Sequence, residues 1–153
     1  MESIILARHG TYDRDSGKLT PEGEYEAKSM AQTLCGLLQG KSISLVSSDI
    51  RRAVQHAEIF AHGLGLGLDF PRYDWIYDGG LHSHKKLTKL VLDTKQDSLI
   101  VVGHLETARN FLEYFFYEQY GQLIEKPSVL TGECVYIDTI AKSLKVLCKK
   151  QGY

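Results

Sequence analysis

Short apolar runs alternate with amphipathic stretches along this sequence. Residues 3–7 and 98–102 are almost continuously apolar, and residues 42–46 form a third, less apolar run. Runs of this length that stop at glycine or polar residues are typical of strands buried on both faces of a sheet. The pattern therefore predicts three buried strands, each ending in a polar turn.

The stretches between these strands have helical periodicity. Thr20 is a favourable N-cap and Pro21 suits the first helical turn, with apolar residues recurring at helical spacing afterwards. Ser47, Ser48 and Asp49 are expected to cap a second helix, and further helices are predicted over residues 81–94 and directly after the strand at residues 98–102.

The middle and the end of the chain are less regular. Residues 69–77 are rich in aromatic side chains but contain Pro71, so only their later part is predicted as an edge strand. Residues 133–139 and 143–148 alternate like two closing strands. Strands alternating with helices predict a three-layer α/β/α sandwich with a mostly parallel sheet, and we expect one domain over residues 1–153 with no cap domain.

Composition and charge narrow the class of protein. Of 153 residues, 43% are hydrophobic and 24% are charged, as in soluble globular chains. Lys and Arg number 18 against 19 Asp and Glu, without a long run of like charge, so we expect neither a nucleic-acid nor a membrane partner. Three widely spaced cysteines and the lack of a long apolar segment favour a cytoplasmic location.

Polar side chains follow the ends of all three buried strands. Because ligands of open α/β sheets bind outside the carboxyl ends of the strands, we expect these side chains to share one pocket. The side chains are those of Arg8 and His9 after the first strand, Arg51 and Arg52 after the second, and His104 after the third, and Gly10 directly follows His9.

This set of residue types suits phosphoryl transfer. Guanidinium groups bind phosphate oxygens through paired hydrogen bonds and keep their charge. A neutral histidine among them can act as a nucleophile, and Gly10 would let a phosphate approach the backbone closely. A histidine at a helix start, such as His104, can donate to phosphate oxygens. The scheme needs neither a metal nor a cofactor.

Four motifs in this order resemble the histidine phosphatase superfamily, which is also called phosphoglycerate mutase-like. The resemblance implies that His9 attacks phosphorus, that Arg8, Arg52 and His104 hold the phosphoryl oxygens, and that water hydrolyses the phosphohistidine. It selects Arg52, directly before alanine, over Arg51. The motifs are Arg8-His9-Gly10, Leu19-Thr-Pro-Glu-Gly23, Ser47-Ser-Asp-Ile-Arg-Arg-Ala53 and Val102-Gly103-His104.

The proton donor departs from one branch of this family. Phytase-type members carry an aspartate directly after the second histidine, where this chain has Leu105. Asp78 is the best candidate donor, with Asp74 and Glu106 behind it. An Asp-Gly turn is an equally good interpretation of Asp78. Ser47 and Ser48 are expected to be helix caps, with one of them touching the site.

The short chain is most similar to the small bacterial protein-phosphohistidine phosphatases, which implies phosphohistidine on a protein as substrate. A small-molecule phosphomonoesterase and a noncatalytic phospho-ligand binding module remain alternatives. His82 and His84, with Asp78 nearby, suggest a metal hydrolase as a third, though no further ligands are evident. The same two histidines could instead line an open site and contact a partner protein.

Overall fold

A mixed sheet forms the middle layer of the fold. The structure, a computed structural model, describes residues 1–150. Its strands are β1 (Ser3–Arg8), β2 (Ile43–Ser48), β3 (Arg72–Tyr73), β4 (Ser98–Gly103), β5 (Cys134–Asp138) and β6 (Ser143–Leu147). They lie in the order β3-β2-β4-β1-β5-β6. The first four run parallel, whereas β5 is antiparallel to β1, and β6 to β5. The carboxyl ends of β1, β2 and β4 therefore meet at one edge.

Helices cover both faces of this sheet, which confirms the predicted three-layer α/β/α class. They are α1 (Pro21–Leu37), α2 (Arg51–Leu64), α3 (Leu81–Asp93) and α4 (Leu112–Tyr120). Side chains of β1 alternate between two buried clusters, with Ile5 and Ala7 facing α1 and α2, and Ile4 and Leu6 facing α3 and α4. Burial on both faces explains why the strand is continuously apolar in sequence.

The start of α1 is fastened to the loop after β1. Thr20 caps the helix, since its Oγ1 accepts a hydrogen bond from the Gly23 amide at 3.1 Å. A Cβ built on Gly10 would lie 2.7 Å from the Gly23 carbonyl oxygen, and one on Gly23 would lie 2.0 Å from that of Thr11. Glycine at both positions lets the loop and the helix touch through their backbones.

One local prediction was wrong and another was right only in part. Ser47 and Ser48 complete β2 instead of capping α2, whose N-cap residue is Ile50 and lacks a side-chain cap. The expected edge strand shrinks to Arg72–Tyr73, because the chain turns into a 3₁₀ helix at Asp74–Ile76.

The helix predicted after His104 is present, but it opens with a π-helical turn at Thr107–Phe111 before α4 begins. Such single turns often occur at functional sites. None of the helices in residues 1–150 is both long and apolar enough to cross a membrane.

Candidate active site

A cleft of about 480 Å³ opens at the carboxyl edge of the parallel strands. All the strand-end side chains that the resemblance selected line it, together with the three candidate acids and two tyrosines. The lining residues are Arg8, His9, Tyr12, Arg52, Asp74, Tyr77, Asp78, His104, Leu105 and Glu106.

His9 is held in one tautomer at the floor of this cleft. Its Nδ1 lies 2.9 Å from the Gly10 carbonyl oxygen, which can only accept, so Nδ1 carries the proton. Nε2 is left with its lone pair, and Arg52 donates to it from Nε at 3.1 Å. Burial, and then the charges of Arg52 and Arg8, lower the pKa of His9 to about 4. The imidazole is therefore neutral at pH 7, and Nε2 is its nucleophilic atom.

Arg52 is the arginine that reaches the histidine, as the family pattern selected. Its guanidinium lies 4.3 Å from the centre of the Tyr12 ring, and that ring in turn meets His9 edge to face at 5.3 Å. The cation–π contact with Tyr12 helps to hold the guanidinium in the cleft. Arg51, one residue earlier on α2, is exposed and does not line the cleft.

The guanidinium of Arg8 is hydrogen-bonded through one of its nitrogens but not through another. Its Nη1 donates to the Val129 carbonyl oxygen at 2.8 Å. Its Nε is buried and has no hydrogen-bond partner among residues 1–150. A buried guanidinium N–H at the wall of a cleft suits an anion that enters from solvent.

His104 meets the ring of His9 edge on in the cleft, with ring centres 5.2 Å apart. Its Nε2 is hydrogen-bonded to the Ser48 Oγ at 2.9 Å, and the Tyr77 ring meets it edge on at 4.7 Å. Burial, followed by His9 and Arg52, lowers the pKa of His104 to about 3. Ser48 thus touches the site through His104, as expected for one of the two serines.

Three carboxylates border the same cleft. Asp74, Asp78 and Glu106 all line it, so each candidate donor is within the site. Gly79 has a φ of +69°, and a Cβ there would lie 2.6 Å from the Glu106 Cβ. Asp78 therefore belongs to a tight turn packed on Glu106. The charge of Glu106 also acts on His9, raising its pKa against the stronger lowering causes.

The Gly10 amide is bound within the protein. Its N–H donates to the Nδ1 of His56 at 3.0 Å, so a phosphate that approached this glycine closely would not find a free N–H. The close approach of Gly23 gives a second, structural reason for glycine at this position.

Sequence reasoning missed two residues that hold this loop. His56 on α2 binds the Gly10 amide, and Glu26 on α1 accepts from the Thr11 amide at 2.8 Å. Glu26 is also paired with Lys149 at 2.6 Å. Both side chains are buried polar residues inside amphipathic helices, and that placement was the available signal.

His82 and His84 lie outside the cleft. His82 is exposed at the start of α3, while His84 packs against the Tyr114 ring of α4 with ring centres 5.4 Å apart. Burial is the main cause that lowers the pKa of His84. Within residues 1–150, no group of three or more His, Cys, Asp or Glu side chains is placed to hold a metal ion.

Comparisons with known proteins bear on the family that the motifs resemble. The model of the histidine phosphatase superfamily (branch 1) matches residues 4–72, which confirms the resemblance that the motifs predicted. This stretch contains the His9 and Arg52 motifs. A search of curated proteins finds no match.

Solved structures share the whole fold at low sequence identity. A SixA-type protein from Agrobacterium tumefaciens is 18% identical with a TM-score of 0.69, covering 99% of this chain and 98% of that chain. The protein histidine phosphatase SixA complexed with tungstate is 22% identical with a TM-score of 0.69, covering 96% and 95%. A mycobacterial glucosyl-3-phosphoglycerate phosphatase complexed with VO3 is 14% identical with a TM-score of 0.65, covering 95% and 97%.

These likenesses establish the phosphoglycerate mutase-like fold. The family match supports an enzyme with phosphatase activity.

Proposed function

We propose that this chain, whose residues 4–72 match the histidine phosphatase superfamily, is a phosphatase that works through a phosphohistidine on His9. The observation that carries the proposal is the tautomer of His9. The Gly10 carbonyl oxygen holds the proton on Nδ1, so Nε2 keeps its lone pair, which accepts the hydrogen bond from Arg52 in the cleft. A neutral imidazole oriented in this way is a nucleophile ready for phosphorus.

The reaction follows in two steps. In the first, Nε2 of His9 forms a bond to phosphorus while the bond from phosphorus to the leaving group breaks. In the second, the oxygen of water bonds to phosphorus while the bond from phosphorus to Nε2 breaks, which releases inorganic phosphate and restores neutral His9. Because the transferred group is anionic throughout, catalysis depends on positioning and on fixed positive charge.

The arginines and His104 supply that charge and hydrogen bonding. Arg52 now donates to Nε2 of His9, so an entering phosphoryl group would take over this donor as Nε2 attacks. Arg8 offers a buried Nε that has no protein partner in the described chain. His104 lies beside His9 in the cleft, where it can donate to a phosphoryl oxygen. Asp78 is our proposed proton donor, with Asp74 and Glu106 as alternatives.

Phosphohistidine on a protein is the substrate that we favour. SixA proteins, which are named phosphohistidine phosphatases, are among the relatives that share the fold over nearly the whole chain. A phosphoimidazole protonated on its second nitrogen leaves as neutral imidazole, so this substrate makes little demand on a general acid. We also propose a single domain without a cap, of the small bacterial type, so that the cleft admits a protein-borne group.

We place the protein in the cytoplasm. Cys35 and Cys148 are exposed free thiols, and Cys134 is buried without a disulfide partner. Exposed thiols of this kind persist in a reducing compartment. We propose a phosphorylated substrate as its partner and expect neither nucleic acid nor membrane to bind.

A small-molecule phosphomonoesterase is the second candidate. The mycobacterial glucosyl-3-phosphoglycerate phosphatase has the same fold, and its name gives a small phosphorylated sugar derivative as its substrate. Comparing kcat/KM for a phosphohistidine protein with that for sugar phosphates and nucleotides separates the two candidates. We expect the phosphohistidine protein to be preferred.

Trapping the intermediate tests the proposed chemistry. The enzyme is mixed with radiolabelled phosphohistidine protein and quenched in base, because a phosphohistidine is stable in base and labile in acid. We expect label on the unmodified enzyme and on the control His82→Ala, whose changed side chain is exposed outside the cleft. His9→Ala should carry no label and show no turnover. Substantial turnover by His9→Ala would refute the assignment of His9 as the nucleophile. Absence of label from both the unmodified enzyme and His82→Ala would refute the phosphohistidine intermediate.

A further inference from the structure

A third histidine lies directly behind the nucleophile loop. His56, on α2, is fully buried and packs against the ring of Phe60 with ring centres 4.5 Å apart. Its Nδ1 accepts the hydrogen bond from the Gly10 amide at 3.0 Å. The side chain does not line the cleft, so it has no direct contact with a substrate held there.

The hydrogen bond defines the protonation of His56. Because Nδ1 accepts, the proton of the neutral ring sits on Nε2. That nitrogen is buried and has no hydrogen-bond partner among residues 1–150. An unsatisfied buried donor opposes folding, and an apolar side chain would avoid this cost. The gain that offsets it is the bond to the Gly10 amide.

Gly10 links His56 to His9 through its own backbone. Its N–H is bound by His56, and its carbonyl oxygen accepts the Nδ1–H of His9 at 2.9 Å. The next amide, that of Thr11, is bound by Glu26 from α1. Side chains from two helices thus hold two successive amides. Of these two side chains, His56 holds Gly10, the residue whose carbonyl oxygen orients the nucleophile.

We propose that His56 is a positioning residue for His9. By holding the Gly10 backbone, it keeps the Gly10 carbonyl oxygen on Nδ1 of His9 and so leaves the lone pair on Nε2, the atom that attacks phosphorus. This inference rests on the proposed role of His9 as nucleophile. It assigns His56 an effect on the rate of phosphoryl transfer and not on substrate binding.

A matched pair of variants isolates the hydrogen bond from packing. Asn and Leu have nearly the same shape, so His56→Asn and His56→Leu leave similar space beside Phe60. Only Asn keeps an acceptor, its Oδ1, near the position of the histidine Nδ1. We expect His56→Leu to lower kcat about 10- to 100-fold, the order of loss that a misplaced reacting group causes. KM should change less than about twofold, and His56→Asn should retain kcat within about threefold.

The protonation of His9 gives a readout that needs no substrate. Nitrogen NMR of the free enzyme should show the His9 proton on Nδ1 in the unmodified protein and in His56→Asn. In His56→Leu we expect a mixture of the two tautomers. Urea unfolding of both variants checks that they fold. If His56→Leu does not fold, His56→Ala, which also lacks an acceptor, takes its place in the comparison.

The outcomes separate this inference from the proposed function. Equal kcat and equal His9 tautomers in the Asn and Leu variants would overturn the positioning role, while the labelled His9 phosphoenzyme would still stand. Loss of label from the unmodified enzyme would instead overturn the proposed function, and the tautomer measurement would still report on His56.

Discussion

The three buried histidines of the site make the protein sensitive to acid. Burial is the largest cause in each case, and it lowers the pKa of His9 to about 4 and the pKa values of His56 and His104 to about 3. In the unfolded chain these groups return to a pKa of 6.5. The unfolded state therefore binds more protons below that pH. The stability that the neutral rings provide is complete above pH 6.5 and is lost as the pH falls toward 4.

The size of the effect follows from these pKa values. Between pH 7.5 and 5.5 each folded ring stays neutral while each unfolded one becomes almost fully protonated. One such histidine lowers the free energy of unfolding by about 1.4 kcal/mol over this interval. Three of them lower it by about 4 kcal/mol, a large part of the 5 to 15 kcal/mol that is usual for a domain.

Urea unfolding at pH 7.5 and pH 5.5 measures this difference, with fluorescence of the single tryptophan, Trp75, and circular dichroism as probes. His56→Asn is the matched control, since it removes one of the three titrating rings. We expect the pH difference to shrink by about 1.4 kcal/mol in that variant. A difference below about 1 kcal/mol in the unmodified protein would show that the histidines are not buried as neutral rings.

Two further predictions concern the cleft. Arg52→Ala should lower kcat/KM about 10²- to 10³-fold, as loss of one preorganised donor to a transition-state anion does. Arg51→Ala should stay within about twofold because Arg51 is exposed; equal losses in steady-state assays would contradict this choice. With a phosphate ester whose leaving group is a poor one, Asp78→Asn should lower kcat about 10²-fold. If Asp74→Asn or Glu106→Gln has that effect and Asp78→Asn has none, the donor role moves to that residue.

The convergence of the catalytic set was predictable because it depends on backbone topology. Parallel strands place their carboxyl ends at one edge of the sheet. The apolar runs show where the strands end, so the sequence predicts that the residues following them, Arg8, His9, Arg52 and His104, lie close together. The cleft indeed contains all four. The choice of Arg52 over Arg51 came from the family pattern. Its physical basis is that the half-buried Arg52 lines the cleft, whereas Arg51 is exposed outside it.

The hydrogen bonds behind the site had no such signature. Ser48 was expected at a helix cap, yet it extends β2 and reaches His104. Gly10 was expected at the phosphate, yet its amide belongs to His56. Hydrogen bonds between a side chain and a group that is distant in sequence follow no periodicity, so they can be identified only in the folded structure. The proton donor could not be selected among Asp74, Asp78 and Glu106 for another reason, which is that all three carboxylates line the same cleft.

The reactivity of His9 and the acid sensitivity of the fold have one physical cause. Burial keeps the ring neutral, which makes Nε2 nucleophilic at pH 7, and the same burial withdraws stability as soon as the unfolded ring can protonate. A more exposed His9 would relieve the acid sensitivity but would be partly cationic near neutral pH, and only its neutral fraction could attack phosphorus. The overall charge of −1 hides this arrangement, because the charges of Arg8 and Arg52 are concentrated at the cleft. They lower the pKa of His9 further, and they would also bind its substrate.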